Sequence, residues 1–168
     1  MQVDLTPHPA SPRDGLMVSV DTERRADQLW LRFIVEGDTD AIEWPRKAPA
    51  IRTDGLWQHT CFEVFVRTTG GYVEYNLSPS DAWATYRFSG YREGMSPANQ
   101  AIDVHGLDGG EQYVALEGVI DLPPGATGPI ALSVVIEAID GSLSYWALAH
   151  PSDKPDFHHP DSFVLEIP

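Results

Sequence analysis

The 168-residue sequence contains little cysteine, little positive charge and no long apolar run. Cys61 is alone, which excludes an intramolecular disulfide and a zinc site built from several thiolates. The 11 Lys and Arg residues are outnumbered by 25 Asp and Glu residues, and the resulting net charge of −14 argues against nucleic acid and anionic membranes as partners. The longest purely apolar stretch, residues 145–149, is too short to span a bilayer.

Helical periodicity is nearly absent as well, and alternation of apolar with other residues takes its place. The runs that predict strands are residues 29–35, 61–66, 72–77, 83–88, 113–120, 130–139, 143–149 and 163–167. Gly and Pro, 14 of each, supply frequent turns between them. Because no helix is long enough for a parallel crossover, the pattern predicts an antiparallel β-sandwich of about ten strands, forming one all-β domain over residues 1–168.

Two stretches without strand patterns are expected to be long ordered loops, which in a compact domain often carry function. Residues 43–55 are rich in proline and basic side chains, and residues 149–161 contain three prolines and three histidines. Residues 1–15 are polar, with neither the basic nor the apolar region of a secretory signal, so we expect a cytoplasmic protein.

The apolar members of the alternating runs define the expected core. These residues are Phe33, Phe62, Val64, Tyr75, Phe88, Val134 and Ile136. They occupy period-two positions opposite polar residues, which is typical of a sheet with one buried face. Of the five tryptophans we expect three in the core, which leaves others available for stacking against a ligand.

Polar residues embedded in the same runs define a candidate ligand-binding site on one sheet face. The candidates are Glu63, Glu74, Asn76, Arg87, Glu137, Trp146 and His150. An arginine among glutamates supplies the pairing that buried charges need. A solvated outer face, common in antiparallel sheets, is the alternative interpretation. A concave polar and aromatic site would suit a sugar, whose C–H face stacks on a ring while its hydroxyls hydrogen-bond.

Two chemical alternatives also remain open at the level of sequence. Glu63 and Glu137 could form a glycosidase-type carboxylate pair, although an acidic chain offers many such pairs by chance. The histidines and Asp156 of residues 149–161 could ligate a metal, but their spacing matches no standard zinc pattern, so a hydrogen-bonded loop is the expected state. The sequence has no standard Gly-rich phosphate loop.

Two blocks of the sequence resemble a known family. Residues 52–95 read RTDGLWQHTCFEVFVRTTGGYVEYNLSPSDAWATYRFSGYREGM, and residues 145–163 read YWALAHPSDKPDFHHPDSF. They resemble, in the same order, the central and closing blocks of the DOMON-like proteins related to family 9 carbohydrate-binding modules. The spacing from Trp57 to Glu63 is similar to the family's tryptophan followed by an acidic residue on the next strand.

The resemblance implies a jelly-roll-like β-sandwich that binds carbohydrate between aromatic rings, sometimes with structural calcium. It places Trp57, Glu63 and Arg87 at positions resembling sugar-contacting ones. The haem-carrying relatives use Met and His ligands that Met17 and Met95 do not match, so we expect no haem.

We therefore expect a non-catalytic binding module whose ligand is a small-molecule saccharide. No cofactor is expected, although Ca²⁺ held by loop carboxylates is conceivable in so acidic a chain. The alternatives are a small sugar-acting enzyme, which needs an acid–base pair in one pocket, and a protein-interaction domain, which needs a broad exposed apolar patch.

Overall fold

The computed structural model describes residues 1–126 and 128–167, and its secondary structure is almost entirely β. The strands of this part of the chain are β1 (Gln2–Pro7), β2 (Leu16–Arg25), β3 (Gln28–Gly37), β4 (Cys61–Thr68), β5 (Gly71–Leu77), β6 (Trp83–Phe88), β7 (Ser96–Pro97), β8 (Ile102–Gly110), β9 (Tyr113–Asp121), β10 (Ile130–Glu137) and β11 (Leu143–Ala147). Helical structure in the same residues is limited to the 3₁₀ turns Thr39–Ala41, Leu56–Gln58 and Pro160–Ser162. None of these turns has the length and apolar character that crossing a membrane requires.

The strands join in one antiparallel sheet of eleven strands that curves into a half-barrel. Its order is β7-β6-β5-β4-β10-β11-β1-β2-β3-β9-β8. The all-β, antiparallel prediction is confirmed by this arrangement, whereas the jelly-roll connection pattern stays a prediction. Because the sheet is continuous and curved, β3 of one half faces β4 of the other, with the Phe33 and Phe62 ring centroids 5.1 Å apart.

The three consecutive strands β4, β5 and β6 follow the sequence prediction closely. Thr68 pairs with Gly71 at the first hairpin, and Leu77 pairs with Trp83 at the second. Gly71 has φ +138°, and a Cβ atom there would lie 1.9 Å from the backbone oxygen of Phe88. This position therefore requires glycine, which alone tolerates both the backbone conformation and the close approach.

The predicted closing strand at residues 163–167 was wrong. Only Leu165 forms a bridge, to Ile130 at the beginning of β10. The backbone N–H groups of Val164 and Leu165 both donate to the Ile130 carbonyl, at 3.1 Å each. The chain thus pairs with β10 only at the first residue of that strand, shortly after a 3₁₀ turn, instead of running alongside it.

Two apolar clusters lie on opposite faces of the sheet around β4 and β5. The inner cluster fills the space between the two halves and contains six of the seven predicted core residues. The outer cluster, on the other face, contains the seventh, Phe88, together with Phe65, Tyr72 and Phe157. All seven predicted core residues are buried, which confirms that prediction.

The expectation of three core tryptophans is met by one buried residue and by two that are only partly buried. Trp146 belongs to the inner cluster, and Trp44 and Trp83 pack against it. Trp57 is 48% exposed, so one ring is available at the surface.

Candidate functional site

A cavity of about 540 Å³ opens on the outer face of the sheet. The strands β4, β5, β6, β10 and β11 contribute Glu63, Glu74, Phe88, Val135, Leu143 and Tyr145. The loops contribute Trp57, Gln58, Arg92, Met95, Pro155, Phe157 and His158. The volume lies within the range of sites that hold small molecules, and the lining is mainly apolar and aromatic with a few polar groups.

The register of β4 and β5 places two glutamates on the floor of this cavity. Glu63 pairs with Asn76, and Glu74 pairs with Phe65. Cross-strand partners share a face, and residues two apart on one strand do so as well, so Glu63, Glu74 and Asn76 all belong to the outer face. Asn76 is fully buried, and its Nδ2 donates to Glu74 Oε1 at 2.8 Å.

Both carboxyl groups are removed from water, with 3% of Glu63 and 5% of Glu74 exposed. Burial raises the pKa of Glu63 well above its usual value, and the charge of Glu74 raises it further. Burial also raises the pKa of Glu74, to about 7, although Asn76 and Arg92 favour its charged form. Near neutral pH the pair therefore offers both a proton donor and proton acceptors to whatever occupies the cavity.

His158 completes the polar part of the lining, with Nε2 3.7 Å from Glu74 Oε2. Its ring is surrounded by Phe65, Tyr72 and Phe88. The Tyr72 hydroxyl accepts from the Arg92 backbone N–H at 3.3 Å and lies 2.7 Å from His158 Nδ1. Burial, with a smaller contribution from the charge of Arg92, lowers the pKa of His158 to about 4, so the ring is neutral near neutral pH.

The mouth of the cavity is formed by loops that are tied together. Trp57 and Met95 are both exposed at this rim. The Arg92 guanidinium pairs with Asp156 at 2.7 Å, and the Tyr91 hydroxyl donates to the same carboxylate. These contacts fix the loop of residues 149–161 against the connection that follows β6.

Arg87 does not lie in the cavity, and the prediction that it shares a face with Glu63 and Glu74 was wrong. The β6 residue opposite Glu74 is Tyr86, so Tyr86 occupies the outer face and Arg87 the opposite one. Arg87 is exposed there and forms no ion pair with the described residues. The expected pairing of an arginine with the buried glutamates is therefore absent from these residues.

Trp146 and His150 were also placed on the wrong face. Trp146 is 2% exposed within the inner cluster, and its Nε1 donates to Ser144 Oγ at 3.0 Å. His150 donates from Nε2 to the Thr6 carbonyl at 2.7 Å and stacks edge-on against His8. Neither residue lines the cavity, and both make their contacts elsewhere in the fold.

Glu137 lies on β10 beyond the end of the cavity. Its Oε2 is 2.7 Å from His59 Nδ1. Ser133 is the β10 partner of Glu63, and Glu137 is four residues further along, or about 13 Å at the usual rise of a strand. Since Glu137 is held by His59 and does not line the cavity, the carboxylate pair considered from sequence does not form.

His158, Arg92, Tyr145 and Phe157 are cavity residues that sequence reasoning did not select. The available signal was the predicted ordered loop at residues 149–161, of which the sequence analysis selects His150 and not His158 as a ligand-binding candidate. Across residues 1–126 and 128–167, no group of three or more His, Cys, Asp or Glu side chains converges as metal ligands would. His158 instead faces a carboxyl group inside the cavity.

Comparisons with known proteins bear on the fold. No protein-family model matches the chain, and no curated protein is significantly similar to it in sequence. Its structure is similar to the crystal structure of a candidate carbohydrate-binding protein from Bacteroides uniformis ATCC 8492, with a TM-score of 0.61 and 13% sequence identity. The match covers 95% of this chain and 83% of that one, so the likeness extends over the whole fold.

Proposed function

We propose that the protein is a non-catalytic saccharide-binding domain, with the jelly-roll-like fold of the DOMON-like proteins and family 9 carbohydrate-binding modules. The observation that carries the proposal is the cavity of about 540 Å³, in which aromatic walls surround two buried carboxyl groups. The name given to the Bacteroides uniformis protein supports the same ligand class. The sequence blocks that resemble the family enclose Trp57 and the floor of the cavity.

A saccharide would use the two kinds of surface in this cavity differently. The exposed ring of Trp57 at the rim offers a flat face for the C–H side of a pyranose ring. Glu63 and Glu74 would accept hydrogen bonds from sugar hydroxyls, and the protonated member of the pair would donate one. The buried floor would make these bonds strong, because bulk water does not compete for them.

Replacement of Trp57 by alanine tests the proposal. A glycan array followed by calorimetry would identify the best saccharide and its affinity for the native protein. We expect Trp57→Ala to weaken that affinity about tenfold or more while lowering stability by only about 1–2 kcal/mol, since the ring is half-exposed.

Trp146→Ala is the matched control, because this tryptophan lies on the other face of the sheet. It should lower stability by about 3–5 kcal/mol and leave the affinity of the folded protein unchanged. Unchanged affinity in Trp57→Ala, or a native protein that binds no saccharide, would contradict the proposed function.

A small sugar-acting enzyme is a second candidate, favoured by the pairing of Glu74 with His158. A carboxyl group with its pKa raised to about 7 stands 3.7 Å from a neutral imidazole, which is an arrangement suited to general acid–base catalysis. Following a panel of reducing sugars and glycosides by NMR in the presence of the protein decides the question. Spectra that stay unchanged over hours support the binding domain, and turnover that is lost in His158→Gln supports the enzyme.

A further inference from the structure

We propose that the ligand of this cavity carries a positively charged amino group, which pairs with Glu63 and Glu74 on the cavity floor. The saccharide part of the ligand rests on the function proposed above, so the inferred class is an amino sugar. The charge preference is a separate claim, derived from the floor of the cavity alone.

Each carboxyl group on the floor has one oxygen that accepts no hydrogen bond within the described residues, although His158 Nε2 lies 3.7 Å from that of Glu74. Ser133 Oγ donates to Glu63 Oε2 at 3.3 Å, and Asn76 donates to Glu74 Oε1. Glu63 Oε1 and Glu74 Oε2 accept no hydrogen bond from residues 1–126 and 128–167. Both side chains are more than nine-tenths buried and both line the cavity. Among the described residues the fully buried side-chain atoms without a partner are Arg52 Nη2 and Gln100 Oε1, so the two carboxyl oxygens are open to the cavity, where a donor from outside the protein can reach them.

The surroundings of the pair are short of positive charge. The titratable groups that face Glu74 are Cys61 and Glu63 on β4, Tyr72 on its own strand, Tyr86 on β6, and Arg92 and His158 from the loops. Arg92 is engaged by Asp156 at 2.7 Å, and His158 is neutral because burial lowers its pKa to about 4. No cation of the described residues is therefore free to pair with the ionised form of either carboxyl group.

An ammonium group on the ligand would supply the missing positive charge, which a hydroxyl group would not. It supplies three donors on one atom and a full positive charge, and the desolvated carboxylates gain more from a charge than from a neutral dipole. Glu63 and Glu74 are diagonal neighbours on adjacent strands, close enough for one ammonium group to contact both. The rings of Phe88, Tyr145 and Phe157 add cation–π attraction from the walls.

Matched sugars that differ only in charge provide the test. Calorimetry would compare glucose with its 2-, 3- and 6-amino derivatives, and N-acetylglucosamine with glucosamine. We expect at least one amino sugar to bind about tenfold or more tightly than its neutral counterpart, which corresponds to one charge-assisted hydrogen bond. Titration near pH 7 in buffers of different ionisation enthalpy should also show release of protons, because the carboxyl pair loses a proton when the ammonium group arrives.

Two variants test whether the preference for amino sugars arises from the carboxyl groups on the cavity floor. Glu74→Gln should reduce the ratio of amino-sugar to neutral-sugar affinity to about one, since it removes the charge and retains the shape. Glu36→Gln changes an exposed glutamate on β3, away from the cavity, and should preserve the ratio.

The possible outcomes separate this inference from the proposed function. Equal affinities for amino and neutral sugars would overturn the inference and leave the saccharide-binding function standing. Binding of cyclohexylamine without binding of any sugar would overturn the proposed function and retain the amine site. Failure of every sugar and amine to bind would overturn both.

Discussion

Glu74→Gln should stabilise the protein in alkaline solution, because it removes a charge that the folded state holds in a buried site. In the folded protein, burial raises the pKa of Glu74 from 4.5 to about 7. The folded state therefore binds the proton more tightly than the unfolded state does. The stability associated with this proton is complete below about pH 4.5 and is lost as the pH rises through about 7.

The size of the effect follows from the two pKa values. Each pKa unit corresponds to about 1.36 kcal/mol, so ionising Glu74 in the folded state costs about 3 kcal/mol relative to the unfolded chain. Glutamine keeps the acceptor that Asn76 needs and carries no charge to be buried. We therefore expect a gain of about 3 kcal/mol at about pH 9 and almost none at about pH 4.

His158 contributes a pH dependence of the opposite sign, which must be separated from that of Glu74. Its folded-state pKa of about 4 lies below its usual 6.5, so stability is lost as the pH falls from about 6.5 towards 4. Glu63, whose pKa burial raises well above 4.5, adds a slope of the same sign as that of Glu74, so the stability of the native protein should fall with rising pH between about 4.5 and 6.5. In Glu74→Gln the slopes of Glu63 and His158 remain and oppose each other, so the stability of this variant should change little through that interval.

Urea unfolding at several pH values from about 4 to 9 measures both effects, with Glu36→Gln as an exposed control on β3. The gain should be confined to Glu74→Gln and should increase with pH. A gain of equal size at every pH would show that it does not arise from ionisation. A loss of stability at about pH 9 would refute the reasoning, since it would mean that Glu74 carries its charge in a compensated environment.

Three further predictions test the fold and the metal content. Gly71→Ala should lower the free energy of unfolding by about 2 kcal/mol or more, because its Cβ would lie 1.9 Å from the Phe88 carbonyl oxygen; a neutral result would contradict that contact. Phe62→Ala should lower it by about 3–5 kcal/mol in denaturant titrations, and less than 1 would mean that the inner cluster closes over the gap. Replacing a chelator by Ca²⁺ should leave Tm unchanged, and a rise would establish the calcium site that the acidic composition makes conceivable.

The strands were predictable where local chemistry determines them. Residues 61–88 alternate regularly and are interrupted by turn sequences, so the two hairpins follow from side-chain period and turn preference alone. The same alternation identified buried positions such as Phe62 and Tyr75 correctly. The prediction of a closing strand failed because residues 163–167 are held by a single bridge to Ile130. This bridge is a tertiary contact, and no periodic pattern in the sequence indicates it.

The composition of the site was less predictable, because it depends on the register between strands. Alternation shows that Tyr86 and Arg87 lie on opposite faces of β6, but it does not show which of them joins Glu74. The turn between β5 and β6 decides this, since it places Leu77 opposite Trp83 and therefore Glu74 opposite Tyr86. A shift of one residue would have brought Arg87 to the carboxyl pair and produced the site expected from sequence.

The positions of the loop residues in the cavity depend on contacts between distant parts of the chain. His158 reaches Glu74 because the loop that carries it is tied down by the Arg92–Asp156 ion pair and by the packing of Phe157 in the outer cluster. These contacts join residues far apart in the chain, and nothing in the loop sequence specifies their partners. The proline and histidine content of residues 149–161 indicated an ordered loop, but it did not indicate which part of the sheet the loop would cover.

The distribution of acidic side chains gives an independent reason to place function at the cavity. Of the 25 acidic residues, only Glu63 and Glu74 are buried in the part of the chain that the structure describes, and both lie on the same floor. Neither is neutralised by a basic side chain there, so the pair lowers the stability of the ligand-free protein near neutral pH. A glutamine at either position would retain most of the packing and hydrogen bonding without that cost. The fold therefore does not require the two carboxyl groups, and a ligand that pairs with them gives a physical reason for their presence.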